Sequence, residues 1–210
     1  MPATRSSQHP VRALRDGDLD ACAAALSLAF AEDPVYRYMH PGAGEWERVA
    51  PRFFRILLRH FSAHATVLTT GAASAAAIWT PPEPQAPGRF ARLGFTLRLG
   101  VLLGRRIPRG ARIGAALESL HCQEPHWYLA ILGTEPAAQG RGIATSLLAP
   151  ILARCDAAGL PARLETATEA NLGFYQARGF AVVGEARVAG GGPRLWALQR
   201  APAPAGTEPG

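Results

Sequence analysis

The stretch that decides the fold runs Tyr128-Leu129-Ala130-Ile131-Leu132-Gly133-Thr134 and, after four intervening residues, Gln139-Gly140-Arg141-Gly142-Ile143-Ala144-Thr145. Its first half is aromatic and aliphatic, and residues 126–132 read as a strand. Its second half opens a helical pattern over residues 140–158 with a Gly-rich turn. Glycines at 140 and 142 let the main chain approach a ligand closely and adopt conformations closed to other residues. Successive N–H groups at a helix start then point at one spot with partial positive charge, which suits phosphate oxygens. Arg141 adds a cation at the rim.

Two other phosphate loops are excluded. A Walker loop needs a Lys after its glycines, and the chain has no Lys. A dinucleotide fingerprint needs Gly or Ala where Thr145 stands, although Glu165 occupies the place of its acidic partner. Alone, the turn reads equally as a plain Gly-rich helix start. The strand before it adds information. Gly133 interrupts that strand, as at a bulge or a close backbone approach. A bulge would splay the strand from its neighbour and free its N–H and C=O groups. An extended ligand with amide groups can pair with such an edge. Pantetheine is such a ligand, and coenzyme A joins it to a pyrophosphate.

Working outward, residues 162–165 form a short strand and 171–178 a short helix. Residues 180–188 and 194–199 are strands joined by Gly190-Gly191-Gly192. Toward the N-terminus, residues 11–15 read as a strand. A helix over 19–31, capped by Asp16 or Asp18, ends at Glu32-Asp33-Pro34, because Pro cannot continue it. Val49, Phe53, Ile56, Leu57 and Phe61 recur at helical spacing in a helix over 45–64. Strands over 66–70 and 75–80 flank Gly71 as a hairpin. Pro81, Pro82, Pro84 and Pro87 make a rigid loop. Helices over 90–103 and 113–120 follow, separated by Pro108 and Gly110. They carry Arg89, Arg92, Arg98, Arg105, Arg106, Arg109 and Arg112, read as a solvated face or as a positive rim for a phosphorylated ligand. The order predicts one mixed α/β domain with a main sheet flanked by helices. It spans residues 10–200, between a flexible 1–9 and a disordered Pro/Gly/Ala-rich tail from residue 201.

Composition fits this reading. A chain of 210 residues suits one domain, and 48% hydrophobic against 18% charged residues is a globular mix. No apolar run is long enough to span a bilayer, and the first nine residues lack the apolar core of a signal peptide, so a soluble cytoplasmic protein is expected. Cys22, Cys122 and Cys155 form no C-x-x-C pair and are expected to be buried structural thiols, with no metal site. The net charge of +6 comes from 22 basic residues, all Arg. Nucleic-acid binding through the Arg-rich helices is the least favoured alternative, because no binding motif accompanies the charge.

With these residues in view, the chain resembles the GCN5-related N-acetyltransferases (GNAT). Residues 139–144 fit that family's pattern [RQ]-x-x-G-x-[GA] at every fixed position. Asn171-Leu172-Gly173-Phe174-Tyr175, followed by Arg178-Gly179-Phe180, resembles its Asn-x-x-[FL]-Tyr signature. The likeness looks closer to the puromycin N-acetyltransferase-like branch, through Ala77-Ile78-Trp79-Thr80-Pro81-Pro82-Glu83, Glu124-Pro125-His126-Trp127-Tyr128-Leu129, Leu164-Glu165-Thr166, and Ala29-Phe30 with Asp33-Pro34. The resemblance implies a mostly antiparallel central sheet of about seven strands, splayed at the cofactor strand.

It also implies a site. Acetyl-CoA is the expected cosubstrate and a small-molecule amine the acceptor, with antibiotics among the candidates and the protein a monomer or homodimer. A domain that binds acyl-CoA without catalysis is the alternative. Leu132, Gly133 and Thr134 would pair with pantetheine. Gln139, Gly140, Arg141, Gly142, Ile143 and Ala144 would hold the pyrophosphate, with Thr145 one step into the helix and Asn171 on the pantetheine arm. Tyr175 is the candidate acid for the departing thiolate, and Glu165 the candidate base, with His126 as its alternative. The backbone N–H near Leu132 is the candidate oxyanion donor. Phe30, Asp33, Tyr36, Trp79 and Trp127 are candidate lining for the acceptor pocket.

Overall fold

The computed structural model describes residues 10–83 and 88–203. The expectations for residues 1–9, for the tail beyond 203, and for Pro84 and Pro87 lie outside the described residues, as does the side chain of Arg89. The beginning of the tail is described: the Ala203 N–H donates to Asp156 Oδ1 at 2.7 Å, so this part of it is held to the body.

Among the described residues, seven strands form one sheet in the order β1-β2-β3-β4-β5-β7-β6. They are β1 (Val11–Ala13), β2 (Thr66–Thr70), β3 (Ala75–Thr80), β4 (Trp127–Thr134), β5 (Ala162–Thr166), β6 (Ala181–Arg187) and β7 (Arg194–Arg200). Only β4 and β5 run parallel; every other pair is antiparallel. The two faces of the sheet bury against separate helix layers, and β3 shows why its run is apolar throughout. Ala76 and Ile78 join the core under α1 (Leu19–Ala29), α2 (Pro34–Met39), α3 (Glu45–Phe61) and α5 (Ile107–Ser119). Ala75, Ala77 and Trp79 join the core under α6 (Ile143–Ala158) and α7 (Leu172–Gln176). A strand covered on both faces has no polar side to show.

β4 breaks the alternation. Leu129 and Leu132 both pack on the α6 side, whereas Ala130 and Ile131 both pack on the other. Two consecutive residues on one face require an extra residue. The register confirms it: Ile78 pairs with Ile131 and Trp79 with Leu129, leaving Ala130 as a bulge. Beyond the bulge β4 parts from β5, because the two pair only through Trp127–Leu129 and Ala162–Leu164.

Of the two expectations for Gly133, this corrects the bulge and keeps the close approach. Strand β4 runs on through Gly133, and the bulge lies three residues earlier. Gly133 is small because α1 crosses it: a Cβ there would stand 2.6 Å from Leu26 Cδ2 and 2.9 Å from Phe30 Cε2. Two further corrections concern helices. Pro34 ends no helix; it stands in the first turn of α2, where its missing N–H costs nothing, and Asp33 caps that turn. Pro108 and Gly110 likewise fall in the opening turn of α5, so that helix starts six residues before the expected one. The preceding α4 (Arg89–Leu103) agrees with the sequence reading. Cys22 and Cys155 are buried, but Cys122 is only half-buried.

The Arg-rich helices serve mostly as surface. Arg106 pairs with Glu45 at 2.5 Å, tying α5 to the start of α3, and Arg109 lies over the Tyr38 ring. Among the described residues, none of these arginines lines the cleft described below. No described helix is long and apolar enough to cross a membrane.

Candidate active site

The site begins at the divergence of β4 from β5. A cleft of about 560 Å³ opens there, between the end of β4, the start of α6 and α7. Leu132, Gly133 and Thr134 form its strand wall, and Gln139, Gly140, Gly142, Ile143, Ala144 and Thr145 its turn. Asn171 and Tyr175 line it from α7 and the single 3-10 turn before it.

The turn has the backbone that its glycines suggest. Gly140 has φ 75° and Gly142 φ 79°, both left-handed, and a Cβ at either would meet open space. Their need is therefore conformational rather than steric. Gly142 is the N-cap of α6, so the first-turn N–H groups of this helix face outward without intrahelical partners. Gln139 fastens the turn to the strand by donating from Nε2 to the Thr134 carbonyl at 3.0 Å. Thr134 Oγ1 is buried in the cleft wall without a hydrogen-bond partner among the described residues. Arg141 is exposed on the turn.

Sequence reading missed Arg178, Phe174 and Thr168, which also line this cleft. The Arg178 guanidinium lies 3.6 Å from the Phe174 ring centroid. It donates to the Phe174 carbonyl at 2.5 Å and, through Nη2, to the Thr145 hydroxyl of the turn. Burial lowers its pKa, the mark of a cation held partly out of water. The signal was available: Arg178 lies in the quoted segment 171–180, three residues after Tyr175 and so one helical turn on.

A smaller cavity of about 150 Å³ adjoins the cleft. Phe30, Asp33, Leu132, Asn171 and Tyr175 line both. Glu165, Tyr128 and Tyr36 line the inner cavity alone or on its far side. Burial raises the Glu165 pKa, partly offset by the hydrogen bond it accepts from the Tyr128 hydroxyl at 2.6 Å. Burial also raises the Asp33 pKa, against the N–H groups of Val35 and Tyr36 that its Oδ1 accepts at 2.9 and 3.4 Å. Tyr175 is 7% exposed, and burial pushes its phenol well above the usual range, so it stays protonated at neutral pH.

The remaining predicted residues fall elsewhere. Trp79 is fully buried in the core under α6, and Trp127 packs against that core, so neither lines the acceptor cavity. Their place on the strands explains it: both side chains fall on the sheet face opposite α1 and α2. His126 stands outside the inner cavity, with its Nδ1 donating to the Glu124 carbonyl at 2.6 Å.

A splayed parallel strand pair, a bulge and a helix start with free N–H groups suit a ligand with an extended amide arm and a phosphate end. Comparison adds a family likeness. Residues 98–180 match the model of the Acetyltransferase (GNAT) family, a segment that holds β4, the turn, α6, β5 and α7. Over that segment, less than half of its length, the chain is similar to the GNAT acetyltransferases. Solved structures share the fold. One, described as histone acetyltransferase HPA2 and related acetyltransferase from Corynebacterium glutamicum ATCC 13032, has 20% identity and a TM-score of 0.69, over 94% of this chain and 98% of that one. An N-acetyltransferase from Staphylococcus aureus Mu50 has 16% identity and a TM-score of 0.59, over 90% and 99%. The ribosomal-protein-S18-alanine N-acetyltransferase from Escherichia coli has 13% identity and a TM-score of 0.52, over 96% and 98%.

Proposed function

We propose that this chain acetylates a small-molecule primary amine by direct attack of the amine on the thioester of acetyl-CoA, within one domain spanning residues 10–200. One observation carries the reading: the cofactor cleft and the inner cavity share Phe30, Asp33, Leu132, Asn171 and Tyr175. A thioester held at that junction meets an amine coming from the inner cavity. A domain that only bound acyl-CoA would need no second chamber at that end of the cleft.

In this reading the free edge of β4 at Leu132, Gly133 and Thr134 pairs with the pantetheine arm, which Asn171 also contacts. The turn at 139–144, with Thr145, receives the pyrophosphate. Glu165 takes a proton from the incoming ammonium, directly or through a water. The amine nitrogen then bonds to the thioester carbon, and an N–H near Leu132 stabilises the oxyanion. The carbon–sulfur bond breaks, the Tyr175 hydroxyl protonates the departing thiolate, and the second proton shed by the amine nitrogen restores that hydroxyl through water. A phenol kept neutral by burial suits that step, and a carboxylate made more basic by burial suits the first.

The likeness to the puromycin N-acetyltransferase-like branch belongs to this proposal on the strength of the sequence resemblance, and the cytoplasmic location and the monomeric or dimeric state are proposed with it. The test is a panel of primary amines with acetyl-CoA, following free thiol release. Thiol release that depends on the amine supports the reading, and none across the panel with acetyl-CoA bound opposes it.

A further inference from the structure

A third cavity, of about 450 Å³, lies beyond the inner one. Its walls include Pro82, Glu118, His121, Glu124 and Arg163. It shares Leu117, Tyr128 and Glu165 with the inner cavity and, among the described residues, none with the cofactor cleft. The inner chamber therefore lies between the other two and shares wall residues with each. The inner chamber, about 150 Å³, is well below the roughly 300–1,000 Å³ of a whole small-molecule site. The outer chamber falls within that range.

We infer that the acceptor amine reaches the thioester through a collar formed by Leu117, Tyr128 and Glu165, which admits a slender unbranched arm and leaves the body of the acceptor in the outer chamber. The inference rests on the amine-acetyltransferase reading above and names the substrate class for it: a primary amine on an unbranched alkyl arm. Two features argue for it. The hydrogen bond of 2.6 Å between the Tyr128 hydroxyl and Glu165 links β4 to β5 across the collar, so the opening there is fixed by a polar tie and by the Leu117 side chain. The inner walls between the collar and the junction are mostly apolar, with Ile113, Ala130, Ile131 and Leu164 among them, and suit methylene groups.

The charge of the outer chamber agrees. Arg163 is engaged with Gln199 Oε1 at 3.2 Å and the Leu120 carbonyl at 3.4 Å. Glu118 and Glu124 are exposed at the chamber wall. With Glu118, Glu124 and Glu165 against Arg163, carboxylates outnumber the cation at these walls, which favours an ammonium over an anion.

The test uses two isomers of equal charge and composition, n-pentylamine and 2,2-dimethylpropylamine, with the full chain and acetyl-CoA. The wild type should prefer n-pentylamine by at least about tenfold in kcat/KM, the scale on which a fitted apolar pocket separates shapes. Leu117→Ala, which spares the Tyr128–Glu165 bond, should bring the ratio toward one by admitting the branched isomer. Tyr128→Ala should do the same. Unchanged acetyl-CoA affinity and a sharp thermal transition would show that the variants are folded. Equal use of both isomers by the wild type overturns the collar, as does a ratio that neither variant alters. Absence of thiol release with either amine, while acetyl-CoA binds, overturns the primary-amine reading itself and the collar with it.

Discussion

The two ends of the site are made of different material. The proposed cofactor end is main chain: the free edge of β4 and the turn at 139–144, drawn from two short runs of sequence. The proposed acceptor end is side chain: Phe30 and Asp33 between α1 and α2, Leu117 on α5, Tyr128 on β4 and Glu165 on β5. Tyr128 and Glu165 meet at 2.6 Å although 37 residues separate them. Backbone recognition depends on φ and on free N–H groups, which a few glycines encode locally. Side-chain recognition depends on which strands neighbour each other and where one of them bulges.

The sharpest break in this comparison is Gly142→Glu. Only the backbone end is touched, at a position with φ 79°, and the new carboxylate would face the ligand's phosphates. Both strain and like charge oppose binding. Acetyl-CoA affinity measured by calorimetry should fall at least about a hundredfold, on the order of 3 kcal/mol. Undiminished affinity would remove the turn from the cofactor site.

The matching change at the other end is Glu165→Gln. Acetyl-CoA should still bind, while kcat/KM for the amine falls about a hundredfold at neutral pH, the usual contribution of general base catalysis. Because burial raises the Glu165 pKa above its ordinary 4.5, the base is lost by protonation as pH falls through that raised value. The acidic limb of the kcat/KM profile should therefore lie above the ordinary carboxylate range, and the variant should lack it. A limb that persists in the variant belongs to another group. Tyr175→Phe should have a smaller effect, about tenfold in turnover with acetyl-CoA affinity retained, since water can partly replace the lost donor. Turnover equal to wild type would leave Tyr175 as a wall residue only.

The same contrast explains what the sequence showed and what it hid. The strands at 66–70 and 75–80 and the turn at 139–144 stood where residue pattern put them, because glycine, alternation and helix starts are local signals. The bulge was expected at Gly133 because glycine is the visible mark of an irregular strand. Its real place, Ala130, carries no such mark: the extra residue is revealed only by pairing with β3. Trp79 and Trp127 were expected at the acceptor because large aromatics line ligand pockets. Their face of the sheet, set by the strand register, sends them into the α6 core instead. Pro34 was read as a stop because proline ends helices more visibly than it begins them, and Asp33 beside it is the true sign of a start.

Asp33 gives the finest test, since it serves both the fold and the acceptor end. It caps α2 by accepting from the Val35 and Tyr36 N–H groups, and it lines both the cleft and the inner cavity. Asp33→Ala removes the cap and should cost about 1 kcal/mol, or roughly 2–4 °C in Tm for a chain of this size. Asp33→Asn keeps a capping oxygen and removes the charge. Burial raises the Asp33 pKa, so the native state binds this proton more tightly than the unfolded chain does. That lowers wild-type stability as pH rises from the ordinary 3.8 through the raised value. At neutral pH the Asn variant should therefore melt no lower than wild type, and any gain should shrink in acid. If Asp33 also draws the ammonium inward, Asn should raise KM for the amine several-fold with Tm held, a split that a purely structural cap would not produce.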